Sequence, residues 1–171
     1  HICSTDLNEQ YDQSRDLDTC KKYFDKLFQC LDTDYIDLGM IYLVDNQKDY
    51  DAVINNGILE YMQQQKKDGR IRAIGVSSHN PAIAKQYVEN GYVDTMMFSI
   101  NPAFDIMAAD LEDDYFASRN GSIDERAELY RLCEQKGVAI TTMKTLGAGK
   151  LVSAEHTIFE KPLTVGQCIH Y

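Results

Sequence analysis

The stretch Thr33–Asp45, TDYIDLGMIYLVD, decides how the rest of the chain is read. It opens on the polar turn Asp32-Thr33-Asp34, runs through Tyr35, Ile36, Leu38, Met40, Ile41, Tyr42, Leu43 and Val44, and closes on Asp45-Asn46. A run that is apolar on both alternating faces suits a strand buried on both sides, as in a parallel sheet covered by helices. Asp37 and Gly39 interrupt it: one is an acid inside the run, the other has no side chain to pack. In parallel α/β proteins function gathers where strands end and loops begin, so Tyr42, Asp45 and Asn46 are the first residues to consider.

Working outward, helices alternate with strands. Before the organising strand, Leu17, Cys20, Tyr23, Phe24, Leu27, Phe28 and Leu31 recur at helical spacing, with Ser14 or Asp16 available as a cap. After it, a polar Asp45–Asp51 segment leads to a predicted helix over Val53–Lys67, stopped by Gly69. Ile71–Ser77 reads as a strand, and Asn80-Pro81 as a cap followed by proline at the first helical position. Val93–Ile100 is a further strand, ended by Asn101-Pro102. Ala103–Gly121 is acidic and poorly periodic and reads as a loop. Ser122-Ile-Asp-Glu125 is a capping box that opens a helix to Gly137, and Val138–Met143 is the last strand. Leu146-Gly-Ala-Gly149 lets a backbone approach a ligand closely. Thr164-Val-Gly-Gln167 is a second capping box. With His1–Thr5 read as a strand end, the order is that of parallel strands with right-handed crossovers.

Two architectures fit that order. One is a five-stranded doubly wound sheet of flavodoxin type, in which Ser4-Thr5 would hold a phosphate ligand. The other is part of a (β/α)₈ barrel, which normally needs about 250 residues to close. The 171 residues, starting at His1 in a strand and stopping soon after a helix cap, favour a single incomplete barrel domain.

Composition narrows the function. A net charge of -10 with no basic stripe argues against a nucleic-acid binder. No apolar stretch is long enough to span a bilayer, and no secretory signal is visible. The five cysteines lack any C-x-x-C spacing, which argues against a zinc or iron–sulfur site and for free thiols in a reducing cytoplasm, without disulfides. The histidines have no metal-ligand spacing, and the acids at Asp110–Asp114 lack the glycine and alternation of a calcium loop.

Four segments together resemble the aldo-keto reductase family: LFQCLDTDYIDLGMIYLVD, GRIRAIGVSSHNP, VAITTMKTLGAGKL and KPLTVGQCIHY. They are similar, in order, to the family's lead into its fourth strand, its fifth strand and loop, its seventh strand, and the start of the following helix. IDLGMI and MKTLGAGKL look most like a branch whose members often carry a ferredoxin-like cluster segment further on. The resemblance implies a partial (β/α)₈ barrel, about strands 3 to 7 with their helices. It also implies NADPH-dependent reduction of a small-molecule carbonyl substrate, or the reverse oxidation.

The family's chemistry uses an Asp–Tyr–Lys–His tetrad. The Asp and Tyr positions precede residue 1 of this chain, His1 stands in the place of the Lys, and Tyr42 in the place of the His. The plain alternative for Tyr42 is a buried strand tyrosine. On the cofactor side, Ser77 and Ser78 stand where the family's Ser-Asn pair holds the nicotinamide carboxamide. Met97 takes the place of a Gln that helps the same amide, and Met143 that of a stacking Tyr. Lys144, Leu146, Gly147 and Gly149 belong to the loop that meets the pyrophosphate. For the two serines the plain alternative is turn chemistry with Asn80-Pro81, and for Lys144 a solvated charge. With the tetrad so altered, the 171-residue chain is expected to be inactive alone; the other readings are a binding or regulatory domain that has lost catalysis, and the flavodoxin-type module.

Register gives a last expectation. Leu38, Met40 and Tyr42 should share the face toward the barrel mouth, on the side of Ser77 and near Met143, while Asp37, Gly39, Ile41 and Leu43 lie on the other, toward the helices. Asp37 then needs a donor.

Overall fold

The computed structural model describes residues 14–102 and 123–171. Helix α1 (Leu17–Leu31) is capped by Asp16, whose carboxylate accepts the Thr19 N–H, and ends where Asp32 turns left-handed at φ 49°. Its buried stripe is Cys20, Phe24 and Phe28, the two rings meeting edge to face at 4.9 Å. Strand β1 (Ile36–Ile41) follows. The predicted helix over Val53–Lys67 is two helices, α2 (Gln47–Asn55) and α3 (Ile58–Lys67), parted by Gly57 at φ 77°. The polar Asp45–Asp51 segment is helical from Gln47, because Asn46 caps α2 by accepting the Asp49 N–H. Strand β2 (Ile71–Ser78), helix α4 (Pro81–Glu89) and strand β3 (Thr95–Ser99) come next. Helix α5 (Ile123–Lys136), strand β4 (Ala139–Met143), a 3₁₀ segment (Gly147–Val152) and helix α6 (Val165–His170) complete the described chain. His1–Thr5, the Ala103–Gly121 loop and the cap residue Ser122 lie outside the described residues.

The four strands are parallel and lie side by side in chain order, β1-β2-β3-β4. A flavodoxin-type sheet reverses its strand order at the switch point, so that reading is excluded. Sequential parallel strands with helices on one face are the wall of a (β/α)₈ barrel, and this chain forms part of one.

The two faces of the sheet differ. Ile41, Ile74, Val76, Met96 and Phe98 join Phe24, Val53, Met62, Tyr87 and Leu129 in one core beneath the helices. A Cβ on Gly39 would meet Met62 of α3 at 2.7 Å, so Gly39 faces the helices as its register requires. The opposite face carries Leu38, Met40 and Thr95, which crowd the place a side chain on Gly75 would need. The expected alternation along β1 therefore holds. Asp37 does find its donor: Arg72 lies directly across on β2 at 2.6 Å, and both side chains are exposed. Strand β4 stands apart, with Ala139, Thr141 and Thr142 open to solvent, whereas every residue of β3 except Met97 is buried.

Candidate active site

The register places the sequence-selected residues in rows. Ser77 pairs with Met97 and Met97 with Thr141; one row nearer the C-terminal strand ends, Ser99 pairs with Met143. Alternation puts Ser77, Met97, Ser99 and Met143 on the face of Gly75 and Thr95, which is the barrel interior. Tyr42 follows Ile41, the last residue of β1, and is half-buried on the parity of Leu38 and Met40. His1 lies outside the described residues.

The two serines are engaged within the protein. Ser77 Oγ accepts the Leu43 N–H at 2.8 Å. Ser78 Oγ donates to the Val44 carbonyl at 2.7 Å and lies 3.1 Å from Asp45 Oδ1. It also accepts the Asn80 N–H at 3.2 Å. A hydroxyl has one proton and two lone pairs. Ser78 thus gives its proton and one lone pair to the turn, while Ser77 keeps a lone pair and a proton whose nearest acceptor, the Ile41 carbonyl, is 3.5 Å away.

Asp45 grips the next residue, His79. Its Oδ1 accepts the His79 N–H at 2.6 Å and its Oδ2 lies 2.8 Å from Nδ1. Burial alone would raise the Asp45 pKa; the hydrogen bonds from His79, the field of its imidazole and the Ser78 hydroxyl outweigh burial and hold it below the ordinary carboxylate value. His79 Nε2 is buried with no partner among the described residues. Asn80 closes the joint: its amide donates to the Asp45 carbonyl at 2.9 Å while its oxygen caps α4. Arg126, fully buried in α5, donates to the carbonyls of Ser99 and His79 and lies over the Phe98 ring at 4.8 Å.

A second joint holds the end of β1. Arg15 donates to the carbonyls of Tyr42 and Leu43 and pairs with Asp49 at 3.3 Å. Neither Arg15 nor His79 was selected for such a role from sequence. Their partners stand 27 to 34 residues away along the chain, and no local motif encodes a contact of that span.

After β4 the backbone turns left-handed at Lys144, Gly147, Ala148 and Gly149. Lys144 and Leu146 are half-buried, Gly147 is buried and Gly149 is exposed. Two turn bonds fix this loop, from Gly147 N–H to the Lys144 carbonyl and from Gly149 N–H to the Leu146 carbonyl. A cleft of 390 Å³ lined by Ile100, Thr142, Leu146, Cys168 and Ile169 lies beside it. Thr142 is on the helix parity of Phe98, so this cleft is separate from the interior rows. No group of three or more His, Cys, Asp or Glu among the described residues could hold a metal ion. No described helix is long and apolar enough to cross a membrane.

The model of the aldo/keto reductase family matches residues 6–163. The chain belongs to that family. Solved structures of family members share its fold. The aldo-keto reductase AKR11C1 from Bacillus halodurans, in its holo form, superposes with TM-score 0.55 at 21% identity, over 89% of this chain and 41% of that one. The glycerol dehydrogenase AKR11B4 from Gluconobacter oxydans does so with TM-score 0.55 at 19% identity, over 90% and 40%. For the aldose reductase of Giardia lamblia the values are 0.52 and 14%, over 78% and 43%. The chain thus spans about two fifths of the length of these aldo-keto reductases. No curated protein matches it.

Proposed function

We propose that this chain supplies the cofactor side of an aldo-keto reductase mouth, for NADPH-dependent interconversion of a small carbonyl compound and its alcohol. The supporting observation is the shared interior face of Ser77 and Met143 at the C-terminal ends of β2 and β4 and of Met97 in the middle of β3, with Tyr42 just past the end of β1, the neighbour of β2. In barrel enzymes that end carries the chemistry.

The residues present fit a nicotinamide nucleotide in part. Ser77 retains hydrogen-bonding capacity for a carboxamide, whereas Ser78 has given its proton to the turn. Met97 and Met143 offer an apolar, polarizable floor for a flat ring and keep water from it. The left-handed Lys144–Gly149 loop, with the cation of Lys144 at its start, suits a pyrophosphate. The nicotinamide, when bound, supplies or accepts hydride. Tyr42 stands where the family has the His that orients the substrate oxygen, and a phenol can donate that hydrogen bond. As a proton donor it is weaker, because a phenol of ordinary pKa about 10 needs a neighbouring cation to work near neutrality.

The test is titration of the 171-residue chain with NADPH, followed by cofactor fluorescence, together with an aldehyde turnover assay. Binding without turnover above background is expected, since His1 and Tyr42 replace the Lys and His of the family's tetrad. Turnover abolished in Tyr42→Phe would promote Tyr42 to the acid. Absence of any binding would remove the proposal.

A further inference from the structure

Leu43, immediately after Tyr42, sits in the left-handed region at φ 39°. A branched side chain rarely adopts that backbone, and such strain persists only where surrounding contacts over-determine it. Here they do. On one side the Arg15 guanidinium donates to the Tyr42 carbonyl at 3.0 Å and to the Leu43 carbonyl next to it. On the other, Leu43 N–H donates to Ser77 Oγ at 2.8 Å, Val44 N–H to the Ser77 carbonyl at 2.9 Å, and Ser78 Oγ to the Val44 carbonyl at 2.7 Å. Arg15 is itself fixed. Nη1 donates to Ser14 Oγ at 2.7 Å, and Nε faces Asp49 at 3.3 Å, with side-chain exposures of 10% and 5%. Asp49 is held in turn by the Asn46 amide at 2.7 Å.

A buried ion pair of this kind is poor evidence of stabilisation, because desolvation offsets much of its attraction. What it does supply is geometry. A planar fork donating to two successive carbonyls sets the two peptide planes that flank Leu43, which a lysine's single ammonium cannot do. We infer that Arg15, backed by Asp49, is a positioning residue that holds the strained Tyr42–Leu43 turn and so fixes how Tyr42 is presented at the mouth. The inference rests on the proposed place of Tyr42 in that mouth.

Fluorine NMR of the chain labelled with 3-fluorotyrosine tests it, the Tyr42 line being assigned by its loss in Tyr42→Phe. Arg15→Lys is expected to displace or split that line. Arg70→Lys, which removes a guanidinium lying on Phe28 well away from this turn, is expected to leave it in place. Adding Leu43→Gly to Arg15→Lys should return the line toward its parental position, because glycine enters the left-handed region freely. A Tyr42 line unmoved in Arg15→Lys, or moved equally in Arg70→Lys, overturns the inference. Should Arg15→Lys fail to fold, Asp49→Asn is read the same way, and an unmoved line there overturns it too. The NADPH titration is scored separately. A Tyr42 line that responds to Arg15 in a chain that binds no cofactor keeps the positioning role and removes the functional reading; binding with an unresponsive line does the reverse.

Discussion

The carboxylate of Asp45 holds both the backbone N–H and the ring Nδ1 of His79, at 2.6 and 2.8 Å, and thereby locks the end of β1 to the end of β2. Because the folded Asp45 pKa lies below its ordinary value of 3.8, the unfolded chain takes up the proton first as pH falls. The contribution is fully present above 3.8 and is lost as pH drops through the lower folded value. Asp45→Asn should cost about 1.5–3 kcal/mol at neutral pH, the range for hydrogen bonds to a charged group. Denaturant midpoints of parent and variant, compared from neutrality to below 3.8, should converge at the acid end. A gap that widens there would contradict the assignment.

Asn80 serves both sides of the same joint, capping α4 at Ala82 N–H and donating to the Asp45 carbonyl. Replacement by Ala should cost about 1–2 kcal/mol, the loss of one cap and one further hydrogen bond. Urea unfolding reads this directly, and a change within error of zero would show that the cap is dispensable.

The absence of a side chain at Gly39 is required by packing. A Cβ would meet Met62 Cε at 2.7 Å and Ile71 Cδ1 at 3.0 Å. The methionine end can swing aside, but a branched residue also drives into the isoleucine. Gly39→Val is therefore expected to destabilise by about 1–3 kcal/mol, with Gly39→Ala costing less. Equal midpoints for parent and Gly39→Val would show that α3 moves off the sheet at no cost.

Cys20, Cys30, Cys133 and Cys168 are free thiols, and their reactivities should separate. Burial pushes the Cys20 thiol up to about 11 and raises that of Cys133, while Cys30 is exposed. Only the thiolate reacts. In the native protein a disulfide reagent should label Cys30 quickly and Cys20 and Cys133 slowly. All five cysteines should react once the unreduced chain is denatured. Rapid native labelling of Cys20 would mean that the α1 face opens readily.

The strands were legible in the sequence because apolar runs with β-favouring residues stand between capped helices. Even the inner and outer faces of β1 followed from alternation, as Gly39 against Met62 shows. The break at Asn55–Gly57 was harder, since Val53, Ile58, Tyr61 and Met62 continue one apolar stripe across it. Within the candidate site, Ser77, Met97 and Met143 were found through family resemblance, and the register then set them on one face. The Asp45–His79 and Arg15–Tyr42 joints were not legible, because each depends on two loops meeting in space.

Strand β4 carries a further consequence. Its neighbour β3 is buried at every residue except Met97, whereas Ala139, Thr141 and Thr142 meet solvent. Cooperative units of low local contact density open first. Protection against amide hydrogen exchange should therefore grade across the sheet, strongest at Val76 and Met96 and weakest at Thr141. The unravelling that begins at β4 would carry the Lys144–Gly149 loop with it, so the loop proposed to meet a pyrophosphate would be the first part of the described sheet and its loops to lose its shape.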